Sequence, residues 1–269
     1  MPAPGTDAPQ PREATPGGPP PVAIVTGASR GIGRAVVERL SAEGWRVGAI
    51  DRELPTPGAG DDPARVHPVC ADVRDAAQLA EATAAVVARF GRLDAVVANA
   101  AIGGPDGVFA ELPLDAIREV MDINYFGAAH AVRAAVPHIR AHGGRGRIVL
   151  LGSLFAQQPV PGAAPYISSK GAVQGLMHAL ALELAPAMTV NSIAPGYIMT
   201  DMHREELAFR AQRAGTSFDA QAAAVRALIP LERHGSPADI AAGVSFLLSE
   251  AAGYITGQTL NINGGVQIS

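Results

Sequence analysis

Val22-Ala-Ile-Val-Thr-Gly-Ala-Ser-Arg-Gly-Ile-Gly33 is the stretch on which the fold of this chain turns. Its first five residues make a short apolar run, the pattern of a fully buried strand. Gly27, Gly31 and Gly33 follow, in a turn where backbone can bend sharply and come close to a ligand. Ile32, Val36 and Leu40 then recur at helical spacing until Gly44 ends the helix. A strand that passes through a glycine turn into a helix leaves free N–H groups and the positive end of the helix dipole at the turn. That is a seat for phosphate. The spacing is G-x-x-x-G-x-G, not the commoner G-x-G-x-x-G, so the glycines need a companion. Asp51 supplies it, eighteen residues past Gly33 at the end of a second strand. A carboxylate there can accept both hydroxyl protons of an adenosine ribose and would repel a 2′-phosphate. The pattern predicts a dinucleotide site that favours NAD. Arg30 and Arg52 are the features that favour NADP, since either could reach a 2′-phosphate.

The same grammar extends along the chain. Apolar strands are predicted at 22–26, 46–51, 66–70, 93–98, 147–151, 189–193 and 259–262. Helices are predicted around 79–90, 113–141, 164–185, 201–228 and 237–249. Short, continuously apolar strands that alternate with helices mean a parallel sheet covered on both faces. Right-handed crossovers make it a doubly wound, three-layer α/β sheet. Residues 1–21 hold eight of the 22 prolines and no apolar periodicity, and read as a disordered tail. Residues 22–269 read as one domain.

Composition narrows the function classes. The 269 residues carry 21 basic and 25 acidic groups, a net charge of −4. That gives no basic footprint for nucleic acid or an anionic membrane. The one cysteine, Cys70, excludes an internal disulfide framework and a multi-cysteine metal site. At the end of an apolar strand it reads as a small buried side chain. No apolar run approaches the roughly 20 residues of a membrane helix, and the expected setting is cytoplasmic. His138 and His142 stand at i, i+4, but no third ligand lies near, and no metal is expected. Trp45, the only tryptophan, precedes the second strand and is expected to lie near the adenine end.

Tyr166-Ile-Ser-Ser-Lys170 falls in the first turns of the 164–185 helix, where positions i and i+4 share a face. An ammonium beside a phenol favours the phenolate, and a phenol tuned towards neutrality can act as general acid or base on an alcohol or ketone. Lys170 is also the only lysine among 21 basic residues.

With these residues in place, the chain resembles the short-chain dehydrogenase/reductase family in its roughly 250-residue single-domain form. The resemblance covers 22–266. It rests on Thr26, Gly27, Gly31 and Gly33, on Asp72-Val73, on Asn124 in Met121-Asp-Ile-Asn-Tyr125, and on Ser153 thirteen residues before Tyr166. Pro195-Gly196 with Thr200 and the closing Ile255-Thr-Gly-Gln-Thr-Leu-Asn-Ile-Asn-Gly-Gly265 complete it. It implies a Rossmann fold with a seven-stranded parallel sheet. It also implies catalysis by Asn124, Ser153, Tyr166 and Lys170, with Tyr166 as the acid/base and Ser153 positioning the substrate oxygen. Lys170 would lower the tyrosine pKa, and Asn124 would hold a relay water. The implied cofactor contacts are Gly27, Ser29, Arg30, Gly31, Ile32, Gly33, Asp51, Arg52, Asp72, Val73, Asn99, Ala100, Tyr166, Lys170, Pro195, Gly196, Ile198 and Thr200. The family's usual Asn-Asn-Ala-Gly is Ala98-Asn-Ala-Ala101 here, so Ala101 replaces a glycine.

These residues imply an NAD(P)-dependent hydride transfer between nicotinamide and a secondary alcohol or ketone. One alternative is an NADPH-dependent 3-oxoacyl-carrier-protein reductase. A second, of another class, is a non-catalytic dinucleotide-binding regulator, although such proteins typically lose the tyrosine or lysine. The stretch 197–228 is expected as a lid over a mainly apolar pocket. Phe155, Gln157, Tyr197 and His203 are its candidate substrate contacts. Small residues on the 164–185 helix (Ala172, Gly175, Ala179) suit a partner helix, and the resemblance implies a homotetramer or homodimer.

Overall fold

The computed structural model describes residues 18–54, 62–143 and 145–268. Most of the expected tail and Asp61 lie outside them; residues 18–21 carry neither helix nor strand. Seven strands form one sheet: β1 (Val22–Thr26), β2 (Arg46–Asp51), β3 (Val66–Cys70), β4 (Ala95–Ala98), β5 (Gly146–Leu151), β6 (Met188–Pro195) and β7 (Thr259–Ile262). All pairings are parallel, in the order β3-β2-β1-β4-β5-β6-β7. The helices are α1 (Gly31–Ala42), α2 (Ala76–Phe90), α3 (Leu114–Met121), α4 (Gly127–Ala141), α5 (Ala164–Glu183), α6 (Asp201–Ala214), α7 (Phe218–Arg226) and α8 (Pro237–Leu248).

The apolar strands are explained by cover on both sides. Val22 and Ile24 of β1, with Ile148 and Leu150 of β5, pack into one core against α2, α4 and α5. Ala23 and Val25, with Val149 and Leu151, pack into the other core against α1 and α8. Successive side chains point to opposite faces. Neither face is solvated, so no polar alternation survives in the sequence.

Local chemistry sets the helix ends. Asp75 caps α2 by accepting the N–H groups of Ala77 and Gln78, and Gly91 closes it at φ +83°. Ser236 and Asp239 form a reciprocal capping box at α8, with Pro237 in the first turn. Arg233 grips the same Asp239 through both oxygens and holds its carboxyl far below the usual range.

Three expectations need correction. The continuous helix over 113–141 is α3 and α4 joined by a π-helical turn at Asp122–Phe126, which buries Asn124. Such a turn is a single irregularity inside a helical run, and no residue type or spacing in the sequence announces it. The helical segments expected over 201–228 are α6 and α7, separated where Gly215 takes φ +62° and Ser217 caps α7 through the Ala220 N–H. Cys70 is exposed, not buried. It ends an outer strand that is covered only at its start, and its thiol donates to the Arg52 carbonyl at 3.1 Å. Trp45 lies at the N-terminal edge of the sheet, before β2, while Asp51 ends that strand. Six residues at about 3.3 Å each separate them by about 20 Å. The tryptophan is therefore far from the adenine end.

Candidate active site

Strand order reverses between β1 and β4, and ligands of such sheets bind in the crevice at that point, beyond the carboxyl ends of the strands. The crevice is knitted by Asn99. Its backbone N–H and that of Ala100 donate to Thr26 Oγ1 at 3.1 and 3.2 Å, and its Nδ2 donates to the Thr26 and Gly27 carbonyls at 2.9 and 3.1 Å. Gly27 sits at φ +67°, its missing Cβ 2.8 Å from the Ala100 Cα. A Cβ on Gly33 would stand 2.0 Å from the Gly27 carbonyl oxygen. Only glycine lets the chain fold this tightly.

Arg30, at the N-cap of α1, makes no side-chain capping bond, so the first-turn N–H groups have no side-chain cap. Thr200, which caps α6, lies against this turn, its Cγ2 3.6 Å from where a Gly31 Cβ would be. At the end of β2, one Asp51 oxygen accepts the Ser29 N–H at 2.9 Å and the other the Arg52 N–H at 2.8 Å. Each keeps a lone pair for a ribose hydroxyl. An uncapped helix start, glycines with no room for a side chain and a half-committed carboxylate together fit a dinucleotide. Ile32 packs on the α1/α8 core, and Val73 is buried near the Gly127 backbone. Asp72 is held by Arg74, whose hydrogen bonds draw its carboxyl below the ordinary range. Pro195 ends β6. Gly196, next to it, donates to Ile262 and has no space for a Cβ against Asn263. Ile198 bridges to Gly235. Glu232 is the only described non-glycine residue with positive φ, so Ala101 stands in ordinary backbone and strains nothing.

Past β5 the chemistry-bearing side chains converge. Ser153 accepts the Phe155 N–H at 3.1 Å, and its hydroxyl lies near enough to the Tyr166 phenol to act on its pKa. Lys170 is buried, and its Nζ donates to the Leu151 carbonyl at 2.8 Å and lies 5.8 Å from the Tyr166 ring centre. Burial with no carboxylate partner lowers its pKa to about 8. Burial raises the Tyr166 phenol above its ordinary value. The Ser153 hydroxyl pulls it down, and the Glu206 charge adds to the rise. The expectation that Lys170 brings this phenol towards neutrality therefore fails for the protein alone. Its ammonium is committed to Leu151, and desolvation of the phenol dominates.

Asn124 is buried. Its amide clasps both backbone groups of Ile102, at 2.8 and 3.0 Å, and donates to Ser169 Oγ at 2.9 Å. Ser169 Oγ donates in turn to the Tyr166 carbonyl at 2.7 Å. The side-chain amide thus pins the π turn to α5. The sequence reading missed Ser169. Its only signal was its place beside Lys170.

At the mouth, Phe155 stacks edge-on against Tyr197, with ring centres 5.9 Å apart; Tyr197 meets His203 at 5.7 Å, and His203 meets His234 at 5.4 Å. His203, expected as a substrate contact, is buried, with Nδ1 3.0 Å from Glu206 Oε2. Glu206 also pairs with Arg210. His203, Glu206 and Arg210 thus place a charged cluster on α6 beside these rings. Gln157 lines a crevice with Ser153, Lys170, Gln174 and Thr259 that is too tight for water. His142 is exposed past the end of α4. No group of three or more metal-ligating side chains occurs among the described residues. Nor, among them, is any helix long and apolar enough to cross a membrane.

Comparison with known proteins agrees with this geometry. A family model described as Enoyl-(Acyl carrier protein) reductase matches residues 27–267. The 3-oxoacyl-[acyl-carrier-protein] reductase FabG of Staphylococcus aureus (strain Mu50 / ATCC 700699) is 34% identical over 256 residues, spanning 91% of this chain and 97% of that protein. Carveol dehydrogenase from Mycobacterium avium, solved with NAD, superposes with a TM-score of 0.84 at 31% identity, covering 92% of this chain and 98% of that one. A variant of the actinorhodin polyketide ketoreductase, solved with NADPH, superposes at 0.83 and 31%, covering 92% and 97%. The fold and site define a dinucleotide-dependent oxidoreductase. The chain belongs to the short-chain dehydrogenase/reductase family. It is an NAD(P)-dependent enzyme that exchanges a hydride between a nicotinamide and a secondary alcohol or ketone.

Proposed function

We propose that this enzyme works chiefly as an NADH-dependent ketone reductase, with Tyr166 as the general acid. The observation that carries the reading is the buried Lys170 5.8 Å from the Tyr166 ring centre, with the Ser153 hydroxyl acting on the same phenol. A phenol raised by burial is protonated at neutral pH, the form that donates to a carbonyl oxygen. Ser153 would hold that oxygen, and Lys170 would orient the site. Asn124 and Ser169 act through α5 by fixing where Tyr166 stands. The dinucleotide would lie across Gly27, Ser29, Arg30, Gly31, Ile32 and Gly33, with Asp51 and Arg52 at the adenosine ribose. Asp72, Val73, Asn99 and Ala100 would line the adenine side, and Pro195, Gly196, Ile198 and Thr200 the nicotinamide side. When bound, the nicotinamide supplies the hydride from C4.

Asp51 supports NAD over NADP by repulsion of a 2′-phosphate. Titration with NADH and NADPH, followed by reduced-nicotinamide fluorescence, tests this. Tighter NADH binding is expected, and tighter NADPH binding would transfer the role to Arg30 or Arg52. Similarity to a 3-oxoacyl-carrier-protein reductase supports a second reading, reduction of an acyl thioester with NADPH. A cytoplasmic homotetramer or homodimer completes the proposal, supported by exposed Gly175 and Ala179 on α5. Sedimentation equilibrium would test the assembly.

A further inference from the structure

We infer that Glu206 is a substrate-binding residue, and that it selects ketones and alcohols carrying a further hydroxyl group. The assignment rests on the reductase reading above and on where Glu206 stands. Ser153 accepts from Phe155, and Phe155, Tyr197 and His203 follow as ring contacts of 5.9 and 5.7 Å that lead from the reacting centre to Glu206. His203 has a side chain only 8% exposed, and its Nδ1 fixes one Glu206 oxygen at 3.0 Å. Arg210, one helical turn on, fixes the other. Both anchors leave each oxygen a lone pair. The Glu206 side chain is 27% exposed, so it is open to solvent beside these rings. Its charge acts on both Tyr166 and Tyr197, and on Asp106.

That placement works against the phenolate, since a nearby anion keeps the phenol protonated. A negative group held rigidly in such a position is explained when it is complementary to the substrate. Its free lone pairs call for a donor. Arg210 already offsets the charge, so a neutral hydroxyl suits the site better than an ammonium. The guanidinium can donate back to the same hydroxyl, which both gives and accepts. A 3-oxoacyl chain offers no such donor.

The test compares kcat/KM for 8-hydroxy-2-octanone and 2-octanone, with whichever dinucleotide binds better, in the wild type, Glu206→Gln and Glu206→Asp. The wild type is expected to favour the hydroxyketone at least about tenfold, as a hydrogen bond to a charged group allows. Glu206→Gln should lower that ratio to about one, through KM, and Glu206→Asp should restore part of it. A wild-type ratio near one, or a ratio unchanged in Glu206→Gln, overturns the assignment and leaves the reductase reading intact. So does a preference for acetoacetyl thioesters over both ketones. If dinucleotide binds but no member of a panel of ketones, hydroxyketones and 3-oxoacyl thioesters is reduced, the reductase reading falls and takes this assignment with it.

Discussion

Replacement of Lys170 by methionine should make the protein more tolerant of neutral pH than of alkali, relative to the wild type. Lys170 is 3% exposed, and burial lowers its pKa from 10.5 to about 8. A tenfold change in an acid dissociation constant is worth about 1.4 kcal/mol, so keeping this group charged in the folded state costs about 3 kcal/mol. Below the folded pKa both states carry the proton, and the full penalty applies. Between about 8 and 10.5 the unfolded chain binds more protons than the folded one, so wild-type stability rises with pH through that window. By about pH 10 only about 1 kcal/mol of the penalty remains. Methionine removes the titration and keeps most of the volume. It also leaves the Leu151 carbonyl without its donor, at about 1–3 kcal/mol, but that loss does not vary with pH. The difference in unfolding free energy, Lys170→Met minus wild type, should therefore fall by about 2 kcal/mol between about pH 7 and pH 10. Urea unfolding of both proteins, at one fixed protein concentration because assembly would shift the midpoint, measures it. A difference that stays flat across that range would refute the claim that Lys170 is held as a desolvated ammonium.

Three further outcomes follow from the same geometry. Asp51→Ala removes the charge facing a 2′-phosphate and should shift relative affinity towards NADPH by about 1–3 kcal/mol, read from paired NADH and NADPH titrations. Asn99→Ala removes the two Nδ2 bonds that tie β4 to the glycine turn and should cost about 2 kcal/mol, seen as a thermal midpoint several degrees lower. Gly33→Ala forces a methyl to within 2.0 Å of the Gly27 oxygen, and should weaken NADH binding more than Gly175→Ala, whose Cβ meets nothing within 4 Å.

The sheet was legible because its signals were local. Every strand named from an apolar run is present, and the glycine turn, Asp51 and the Tyr166–Lys170 spacing all stand where one face or one turn can be counted. What escaped the sequence depends on partners far along the chain. The exposure of Cys70 follows from β3 being the outer strand, which pairing order alone decides. Asn124 is committed to Ile102 and Ser169 by a single π turn that no residue type or spacing in the sequence announces. The phenol's raised pKa comes from burial, which residue spacing does not report. Glu206 stood in plain view, three residues past His203 and four before Arg210. Its meaning appears only when α6 folds against Tyr197.

The central claim is that Tyr166 gives its proton to the substrate oxygen as hydride arrives from the nicotinamide. Single-turnover reduction of a ketone by NADH, compared in the wild type and Tyr166→Phe with NADH binding followed in parallel, tests it most directly. The account predicts that the variant still binds NADH but transfers hydride about 10²–10⁴-fold more slowly. Hydride transfer by Tyr166→Phe at the wild-type rate would contradict it.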